Sequence, residues 1–367
     1  MTENKKRQRW LAAILRIFVF AAAVGFVTFS VRSYQAKKEA EMMAEMRKSE
    51  REKNGFQTGD REAVRVYNGK EYRQNTLNTV ILCVGVDTSG AVEQQKVSGA
   101  GGQADVMALL IQNRATDEVN ILTIPRDTMT EIRLFDLNGN YLGTDVQHLN
   151  LAYGYGDGEQ ESCELLTEAV ENLLGGVEID GYVSVNMSAI PVLNDLVGGV
   201  TVTIDDPGME GRDPSLPYGE TVTLHGKQAE TYVRSRDINV SQSAISRMDR
   251  HRTYAKGWME EARNEQQKDS QFLGKTFDAL QEYMVTDLNK DAYLDAGLAA
   301  MGTENLFGGD HFFTVPGEGT EGLVYDEFYP DGEAFEEMII ELFYRETYGR
   351  DAGRLQSKNK KERRELR

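Results

Sequence analysis

The stretch DVMALLIQNRATDEVNILTIPRDT, residues 105–128, contains two runs of apolar residues separated by a polar segment. DVMALLIQ and VNILTIP are rich in Val, Ile and Leu, whereas NRATDE between them is typical of a turn. The two runs are therefore predicted to form neighbouring strands in the middle of a β-sheet.

The sequence on both sides of this stretch alternates between predicted strands and predicted helices. Three segments indicate strands: NTVILCVGVD (78–87), GYVSVNM (181–187) and VTVTID (200–205). Two segments indicate helices that end at Gly-Gly: EQESCELLTEAVENLLGG (159–176) and AIPVLNDLVGG (189–199). Residues 129–155 are predicted to be mainly loop. Strands that alternate with helices predict a layered α/β domain.

An apolar segment near the N-terminus, WLAAILRIFVFAAAVGFVTFSV (10–31), predicts a single transmembrane helix. At about 1.5 Å rise per residue, it is just long enough to cross a hydrocarbon core of roughly 30 Å. Lys and Arg residues within 5–9 favour a cytoplasmic N-terminus, with the rest of the chain outside the cell membrane. A cleaved signal peptide is the alternative, but the run is longer than a usual signal core and no clear cleavage site follows it.

The chain is predicted to have five parts. They are a cytoplasmic tail (1–9), the transmembrane helix (10–31), an extracytoplasmic helical stalk (32–75), the main folded domain (76–345) and a disordered basic tail (346–367).

The overall charge of the chain limits its partners. The formal net charge is -18, with 59 Asp and Glu against 41 Lys and Arg. Because phosphate backbones demand broad positive surfaces, this balance argues against a protein that coats nucleic acid. The arginines of YVRSRDINVSQSAISRMDRHR (232–252) are therefore an unusual local concentration of positive charge.

The spacing of these arginines predicts two groups. If YVRSR is extended at its end, Arg234 and Arg236 share one face. On a following helix Arg247 and Arg250 share another face, from which Arg252 projects away. Crowded guanidinium groups repel one another unless anions lie between them, and their planar shape matches phosphate oxygens. The cluster predicts a phosphate site, and a solvated charged face is the alternative.

Acidic residues lie where the predicted strands begin and end. Asp87 and Asp105 border a Gly-rich loop, whereas Arg126 and Asp127 directly follow a buried strand, a position where open α/β sheets usually bind ligands. Carboxylates beside a diphosphate favour Mg²⁺ (or Mn²⁺), which bridges protein oxygens to phosphate. The alternatives are a structural Arg126–Asp127 ion pair and aspartates that only cap turns.

Several common chemistries have no support in the sequence. There is no Cys-His zinc pattern, no G-x-S-x-G elbow and no Walker-type phosphate loop, and the four His residues are scattered. Cys83 and Cys163 are too few for a disulfide framework. Either they form one bridge, or Cys83 is a small buried hydrophobic residue.

Several segments, taken in order, resemble the LytR-CpsA-Psr family: ILCVGVD, GGQADVMALLIQ, VNILTIPRDT, HLNLAYGYGDG, LLTEAVENLLG, GYVSVNM, IPVLNDLVGGVTVTI, LHGKQAETYVRSR and RMDRHRTY. The resemblance covers roughly residues 76–260, and the segment to about 345 would complete the domain. It implies a layered α-β-α domain with a central mixed sheet flanked by helices, an apolar tunnel for a lipid tail and a pyrophosphate site at its mouth.

The function implied by the resemblance is that of an extracytoplasmic phosphotransferase. Such an enzyme moves a phosphoglycopolymer, teichoic acid-like or capsule-like, from a polyprenyl pyrophosphate carrier to peptidoglycan, with pyrophosphate hydrolysis as a further activity. A non-catalytic binder of the carrier and a transcriptional attenuator are the alternatives. The attenuator is disfavoured because the large domain is expected outside the membrane, and no helix-turn-helix or nucleic-acid partner is indicated.

The resemblance also implies roles for individual residues. Asp87 and Asp105 match metal-associated acids of the family, although the loop between them is long. The expected pyrophosphate-binding residues are Gln103, Arg126, Arg234, Arg236, Arg247 and Arg250. Gln103 stands where the family often has Arg. Asp105, Arg126 and Asp127 are the catalytic candidates, with one of the two aspartates accepting a proton from the acceptor hydroxyl.

Overall fold

The structure of the chain is a computed structural model. It describes residues 59–235, 243–322 and 325–347, together with Met42, Glu45, Met46, Lys48, Ser49, 51–53 and Phe56. The chain divides into two compact units, 1–57 and 58–367. Described residues between 42 and 53 of the first unit are helical. None of the described helices combines the length and the apolar character needed to span a membrane. The predicted transmembrane segment, 10–31, lies outside the described residues.

Strands and helices alternate along the second unit. Its described strands are β1 (Arg65–Tyr67), β2 (Lys70–Gln74), β3 (Asn78–Val86), β4 (Ala104–Asn113), β5 (Val119–Ile124), β6 (Met129–Phe135), β7 (Tyr141–His148), β8 (Gly181–Asn186), β9 (Val200–Thr203), β10 (Thr221–Leu224), β11 (Met284–Thr286), β12 (Phe312–Thr314), β13 (Gly317–Glu321), β14 (Asp326–Pro330) and β15 (Tyr344–Glu346). Its described helices are α1 (Leu151–Gly154), α2 (Gln160–Leu173), α3 (Ala189–Leu196), α4 (Lys227–Arg234), α5 (Ser243–Lys268), α6 (Phe272–Leu280), α7 (Lys290–Gly302) and α8 (Gly332–Phe343).

A six-stranded sheet with the order β11-β8-β3-β4-β5-β12 forms the centre of this unit. Strand β4 is antiparallel to both β3 and β5. In contrast, β8 runs parallel to β3, and β12 runs parallel to β5. The sheet is therefore mixed, and the prediction that β4 and β5 are neighbours in its middle is confirmed.

The two faces of β4 pack against different parts of the protein. Met107 and Leu109 belong to the main hydrophobic core, which also contains Leu166 and Val170 of α2. Ala108 lies on the opposite face of the sheet and lines a cavity. Because successive side chains of a strand point to opposite faces, a strand that is apolar throughout must be covered on both sides. The sequence of β4 meets this requirement.

Helices cover both faces of the central sheet. On one face, α2 and α8 pack into the main core, which includes Phe335 and Ile339 of α8. On the other face, Ala299 and Ala300 of α7 are buried beside Met259 of α5. The prediction of a central mixed sheet flanked by helices is confirmed.

Three two-stranded sheets and one three-stranded sheet lie outside this centre in the described part of the chain, and one of the two-stranded sheets pairs β9 with β10. Residues 129–148 were predicted to be loop, but they form the antiparallel hairpin β6–β7. Its buried Ile132 is anchored in the main core, which explains why this otherwise polar segment is extended. The hairpin β13–β14 lies beside it, since Phe328 bridges to Thr128.

The three-stranded sheet joins the two ends of the second unit. Strand β2 pairs with β1 on one side and with β15 on the other. Both β1 and β2 fall within residues 32–75, the range predicted to be a stalk.

Cys83 and Cys163 are both free, so the bridge considered from the sequence does not form. Cys163 is buried in the main core. Cys83 lies in β3 beside the cavity, where burial raises the pKa of its thiol to about 11. A thiol with this pKa stays protonated at neutral pH and acts as a small apolar side chain.

Candidate active site

Three strand ends meet at one edge of the central sheet. Strand β3 ends where β4 begins, since Val86 pairs with Ala104, and β5 ends near the same part of β4, since Ile124 pairs with Met107. Because β4 is antiparallel to both neighbours, the residues that follow β3 and β5 lie near the residues that begin β4. The candidates at this edge are Asp87, Gln103, Asp105, Arg126 and Asp127.

Asp105 holds two arginines that come from different parts of the chain. Arg247 Nη1 donates to Asp105 Oδ2 at 2.9 Å, and Arg126 Nη1 donates to Asp105 Oδ1. The side chains of Asp105 and Arg247 are only 8% and 7% exposed. The structure thus brings together the strand edge and the arginine-rich helix α5, as the sequence predicted.

Arg126 also contacts the next residue, since its Nε donates to Asp127 Oδ1 at 3.1 Å. Burial alone would lower the pKa of Arg126, but the carboxylates of Asp105 and Asp127 offset this effect, and its pKa is raised. The guanidinium group is therefore fixed between two carboxylates and remains charged.

Arg250 is the second buried arginine of α5, but it contacts different groups. Its Nη1 lies 3.2 Å from Asp206 Oδ2, and its Nη2 donates to the carbonyl of Ser235. Its Nε is a buried donor with no hydrogen-bond partner among the described residues. Burial lowers the pKa of Arg250 despite the nearby Asp206. An anion that reached this side chain would find an unused donor.

The remaining arginines of the cluster differ from the prediction in part. Arg234 lies in the last turn of α4 and Ser235 after it is extended, so the part of YVRSR up to Arg234 is helical. The helix continues because Tyr232 and Val233 are buried on its apolar side. Arg234 is 56% exposed and lies 3.6 Å from Glu230 on the same helix. Arg236 lies outside the described residues.

Asp87 is held by the loop that leads into β4. Its Oδ1 accepts a hydrogen bond from the backbone N–H of Gln103 at 2.7 Å, and its own N–H donates to the Gln103 carbonyl at 3.1 Å. Gly102 has φ +88, and a Cβ at this position would lie 3.0 Å from Asp87 Oδ1. The side chain of Gln103 accepts from Asn150 Nδ2 at 3.1 Å. Glycine thus allows the loop to pack closely against Asp87.

A cavity of about 240 Å³ extends from this edge between the sheet and α5. The residues that line it are Cys83, Asp105, Val106, Met107, Ala108, Leu110, Ile121, Thr123, Ile124, Pro125, Arg126, Asp127, Arg247, Met248, His251, Arg252, Ala255, Phe307, Phe312, Glu327 and Phe328. Most of these side chains are apolar, and the charged ones include the Asp105 cluster. The cavity therefore combines an apolar wall with buried arginines.

His251 lines the cavity from α5, and no role was predicted for it from the sequence. His251 Nε2 donates to the Val233 carbonyl at 3.0 Å, and burial together with Arg247 lowers the pKa of this imidazole to about 4. His251 is therefore neutral at physiological pH. Its place four residues after Arg247 on a helix is the signal that predicts a shared face.

Arg252 was expected to project away from the face of Arg247 and Arg250, and its described partners differ from theirs, although it also lines the cavity. Its Nε donates to the Phe307 carbonyl at 3.1 Å, and its guanidinium lies 4.4 Å from the centroid of the Phe312 ring. The loop after α7 and strand β12 cover this side of α5, which explains why Arg252 is half-buried at the cavity wall.

Glu327 is a further charged residue of the wall that was not found from the sequence. It belongs to β14, far from the arginine motifs in the chain, and Tyr329 Oη donates to its Oε2 at 2.7 Å. The only local signal is the alternation of polar and aromatic residues in DEFYP.

Comparison with known proteins identifies the family of the chain. The LytR_cpsA_psr family model matches residues 27–339. The polyisoprenyl-teichoic acid–peptidoglycan teichoic acid transferase TagU of Halalkalibacterium halodurans is 30% identical over 216 residues, which cover 58% of this chain and 61% of TagU. The matched region spans about six tenths of the length of such curated relatives.

Solved structures share the fold. A Streptococcus agalactiae protein superimposes with a TM-score of 0.57 and 21% identity, covering 72% of this chain and 88% of that protein. TagT bound to LI-WTA superimposes with a TM-score of 0.54 and 17% identity, covering 78% of this chain and 94% of TagT. The family match over most of the sequence and the shared mixed-sheet fold show that this chain belongs to the LytR-CpsA-Psr family.

Proposed function

We propose that this chain is a membrane-anchored transferase that moves a phosphoglycopolymer from a polyprenyl pyrophosphate carrier to peptidoglycan on the outer side of the cell membrane. The observation that carries the proposal is the apolar cavity with Asp105, Arg126 and Arg247 in its wall. A lipid diphosphate matches this cavity, because it joins an apolar tail to an anionic head group. TagU is named as a teichoic acid–peptidoglycan transferase, which favours a teichoic acid-like polymer over a capsule-like one.

The apolar wall accounts for the lipid part of the donor. Ala108, Leu110, Ile121 and Phe312 line the cavity on the sheet face opposite the main core. Each methylene moved from water to such a surface contributes about 0.8 kcal/mol. A polyprenyl chain would therefore gain much of its affinity here, whereas a short soluble diphosphate would not.

The arginines account for the diphosphate. Without a donor, Asp105 forms ion pairs with both Arg126 and Arg247. A diphosphate carries more negative charge than one carboxylate and presents several oxygens to the same guanidinium groups, so it would compete with Asp105 for them. Arg250, through its unused Nε, and the exposed Arg234 are further candidates for phosphate contacts. These cations would stabilise the charge that develops on the leaving polyprenyl phosphate.

Mg²⁺ or Mn²⁺ is the proposed cofactor, with Asp87 and Asp105 as its protein ligands. The donor chemistry fits, because such cations are commonly held by one or two carboxylates together with substrate phosphates. Among the described residues, no group of three or more His, Cys, Asp or Glu side chains is arranged to hold a metal. The cation would accordingly be shared with the diphosphate. When bound, it would neutralise negative charge on the phosphate oxygens.

Membrane anchoring belongs to the same proposal. The apolar segment 10–31 would place the enzyme on the surface in which the carrier is embedded. Confinement to that surface raises the effective concentration of enzyme and donor without any additional contact between them.

The proposal is tested with the purified full-length protein in detergent, a polyprenyl pyrophosphate-linked N-acetylglucosamine donor and a soluble peptidoglycan fragment. We expect N-acetylglucosamine phosphate to become linked to the peptidoglycan fragment and polyprenyl phosphate to be released in equal amount, with dependence on Mg²⁺ or Mn²⁺. Release of N-acetylglucosamine phosphate to water without acceptor would measure the proposed hydrolytic activity. Absence of the linked product at every cation concentration would refute the transferase assignment.

A further inference from the structure

The proposed transfer requires a group that accepts the proton of the acceptor hydroxyl, and the two aspartates suggested by the sequence are already engaged. Both oxygens of Asp105 accept hydrogen bonds from arginines. Asp127 Oδ1 is held by Arg126 Nε at 3.1 Å. Asp127 positions Arg126 through this contact, and Asp105 is a proposed ligand of the cation, so protonation of either aspartate would remove a negative charge that is needed while the donor is bound.

Glu327 lies in the wall of the same cavity and comes from a different element. Strand β14 runs alongside the segment that follows β5, because the Phe328 N–H donates to the Asp127 carbonyl at 2.9 Å. Phe328 also bridges to Thr128. These backbone contacts fix Glu327 next to the part of the cavity that contains Arg126 and Asp127.

The carboxylate of Glu327 is not engaged by a cation. Among the described residues no Lys, Arg or His side chain forms an ion pair with it, and its one described side-chain hydrogen bond comes from Tyr329 Oη at 2.7 Å. Residues two apart in a strand share a face, so Tyr329 orients Glu327 from its own strand. This hydrogen bond raises the pKa of the exposed Tyr329 hydroxyl, which therefore stays a donor. Glu327 is half-buried, and the hydrogen bond from Tyr329 goes to its Oε2, which leaves Oε1 beside the backbone of Gly322.

We propose that Glu327, oriented by Tyr329, is the site that binds the acceptor hydroxyl and accepts its proton. The inference rests on the proposed transferase function and assigns the acceptor side of that reaction. Arg126 and Arg247 are the proposed contacts of the donor diphosphate, and Glu327 lines the same cavity from β14. A general base needs to be within hydrogen-bond reach of the hydroxyl and free to take up a proton, and Glu327 meets the second condition better than Asp105 or Asp127.

The acceptor oxygen forms a bond to the phosphorus that carries the glycan, while the bond from this phosphorus to the bridging oxygen of the pyrophosphate breaks. Polyprenyl phosphate leaves with that oxygen and the electron pair of the broken bond. The hydroxyl proton passes to a carboxylate oxygen of Glu327 and is later released to water.

The test uses the full-length protein, the polyprenyl pyrophosphate-linked N-acetylglucosamine donor and the peptidoglycan fragment. Glu327→Gln is expected to lower kcat for transfer about 100-fold, since a positioned general base contributes roughly 10²–10⁴-fold. The Kd of the donor should change less than twofold, because Glu327 makes no contact with the arginines. Glu327→Asp should retain more activity than Glu327→Gln, since it keeps a carboxylate. Tyr329→Phe should lower transfer about tenfold by loosening the orientation of Glu327.

Glu321→Gln is the matched control. Glu321 is an exposed carboxylate in β13 of the same hairpin, and it does not line the cavity. Its replacement should leave transfer unchanged, and circular dichroism should show the same fold for all variants. Transfer by Glu327→Gln within threefold of the wild type, or a parallel loss of donor binding and transfer, would overturn the assignment. A wild-type protein without transfer activity would instead refute the proposed function, and this inference with it.

Discussion

Replacement of Asp105 by Asn tests whether this carboxylate holds the site together in the absence of substrate. The substitution preserves shape but leaves Arg126 and Arg247 without their shared counter-charge. Breaking a buried ion pair by removal of one partner costs about 3–5 kcal/mol. Arg126 keeps Asp127, which favours the lower limit, so we expect the free energy of unfolding to fall by about 3 kcal/mol.

Guanidinium denaturation of the full-length protein measures this loss. With an m-value of about 6 kcal/mol/M for a unit of this size, the midpoint should fall by about 0.5 M. Inorganic pyrophosphate, added without divalent cations, should stabilise Asp105→Asn more than the wild type, because the anion no longer competes with a carboxylate for the arginines. Asp278→Asn, which breaks the exposed pair with Lys290, is the control and should cost less than about 1 kcal/mol. Equal stability of Asp105→Asn and wild type would show that Asp105 does not hold the site together in the absence of substrate.

Three further predictions concern the cavity and α5. Burial and Arg247 lower the pKa of His251 to about 4, whereas in the unfolded chain it is near 6.5. The contribution of His251 to stability is therefore present above pH 6.5 and is lost as pH falls towards 4. Unfolding free energies of wild type and His251→Gln should therefore converge over this range, and a constant difference would contradict the shift. Ala108→Phe should fill the cavity and weaken binding of the lipid-linked donor at least tenfold, since excluding two methylenes costs about 1.6 kcal/mol. Binding of inorganic pyrophosphate, measured by calorimetry, should stay unchanged. Arg250→Ala should lower the free energy of unfolding by about 2 kcal/mol, whereas the exposed Arg234→Ala should lower it by less than about 1 kcal/mol. Denaturant titrations measure both values, and equal losses would contradict the larger stabilising role of the buried arginine.

Much of the central sheet could be predicted because its strands carry a strong local signal. Strand β4 is apolar on both faces, and its neighbour β5 follows after a short polar turn. The pattern of apolar residues and the short distance in sequence therefore both predict that β4 pairs with β5. The meeting of Asp105 with Arg247 was also accessible, because an acidic strand edge and an arginine-rich helix in an acidic protein indicate a common anion site. Local sequence pattern and charge were therefore sufficient to predict that Asp105 and Arg247 belong to one site.

The remaining features depend on contacts that no local pattern contains. The hairpin β6–β7 has few apolar residues, and it is extended because Ile132 reaches the main core. Glu168 of α2 is buried although it carries a charge, since Arg133 of β6 lies 3.1 Å from it. Glu327 reaches the cavity only because β14 is bonded to the backbone after β5. Each case is decided by a partner distant in sequence, which single-sequence periodicity does not report.

The pairing of β2 with β15 has a consequence for the order in which the protein assembles. Gln74 lies opposite Tyr344, and the Asn75 N–H donates to the Phe343 carbonyl at 2.7 Å. The ribosome makes β2 early and β15 last, so the edge of β2 has no partner until nearly the whole unit has been synthesised. Contacts between such distant segments slow folding, because a long loop must close before they form. A nascent chain would thus depend on chaperones or on rapid synthesis to protect this edge, and a stop codon shortly before Tyr344 would leave it open to aggregation and proteolysis.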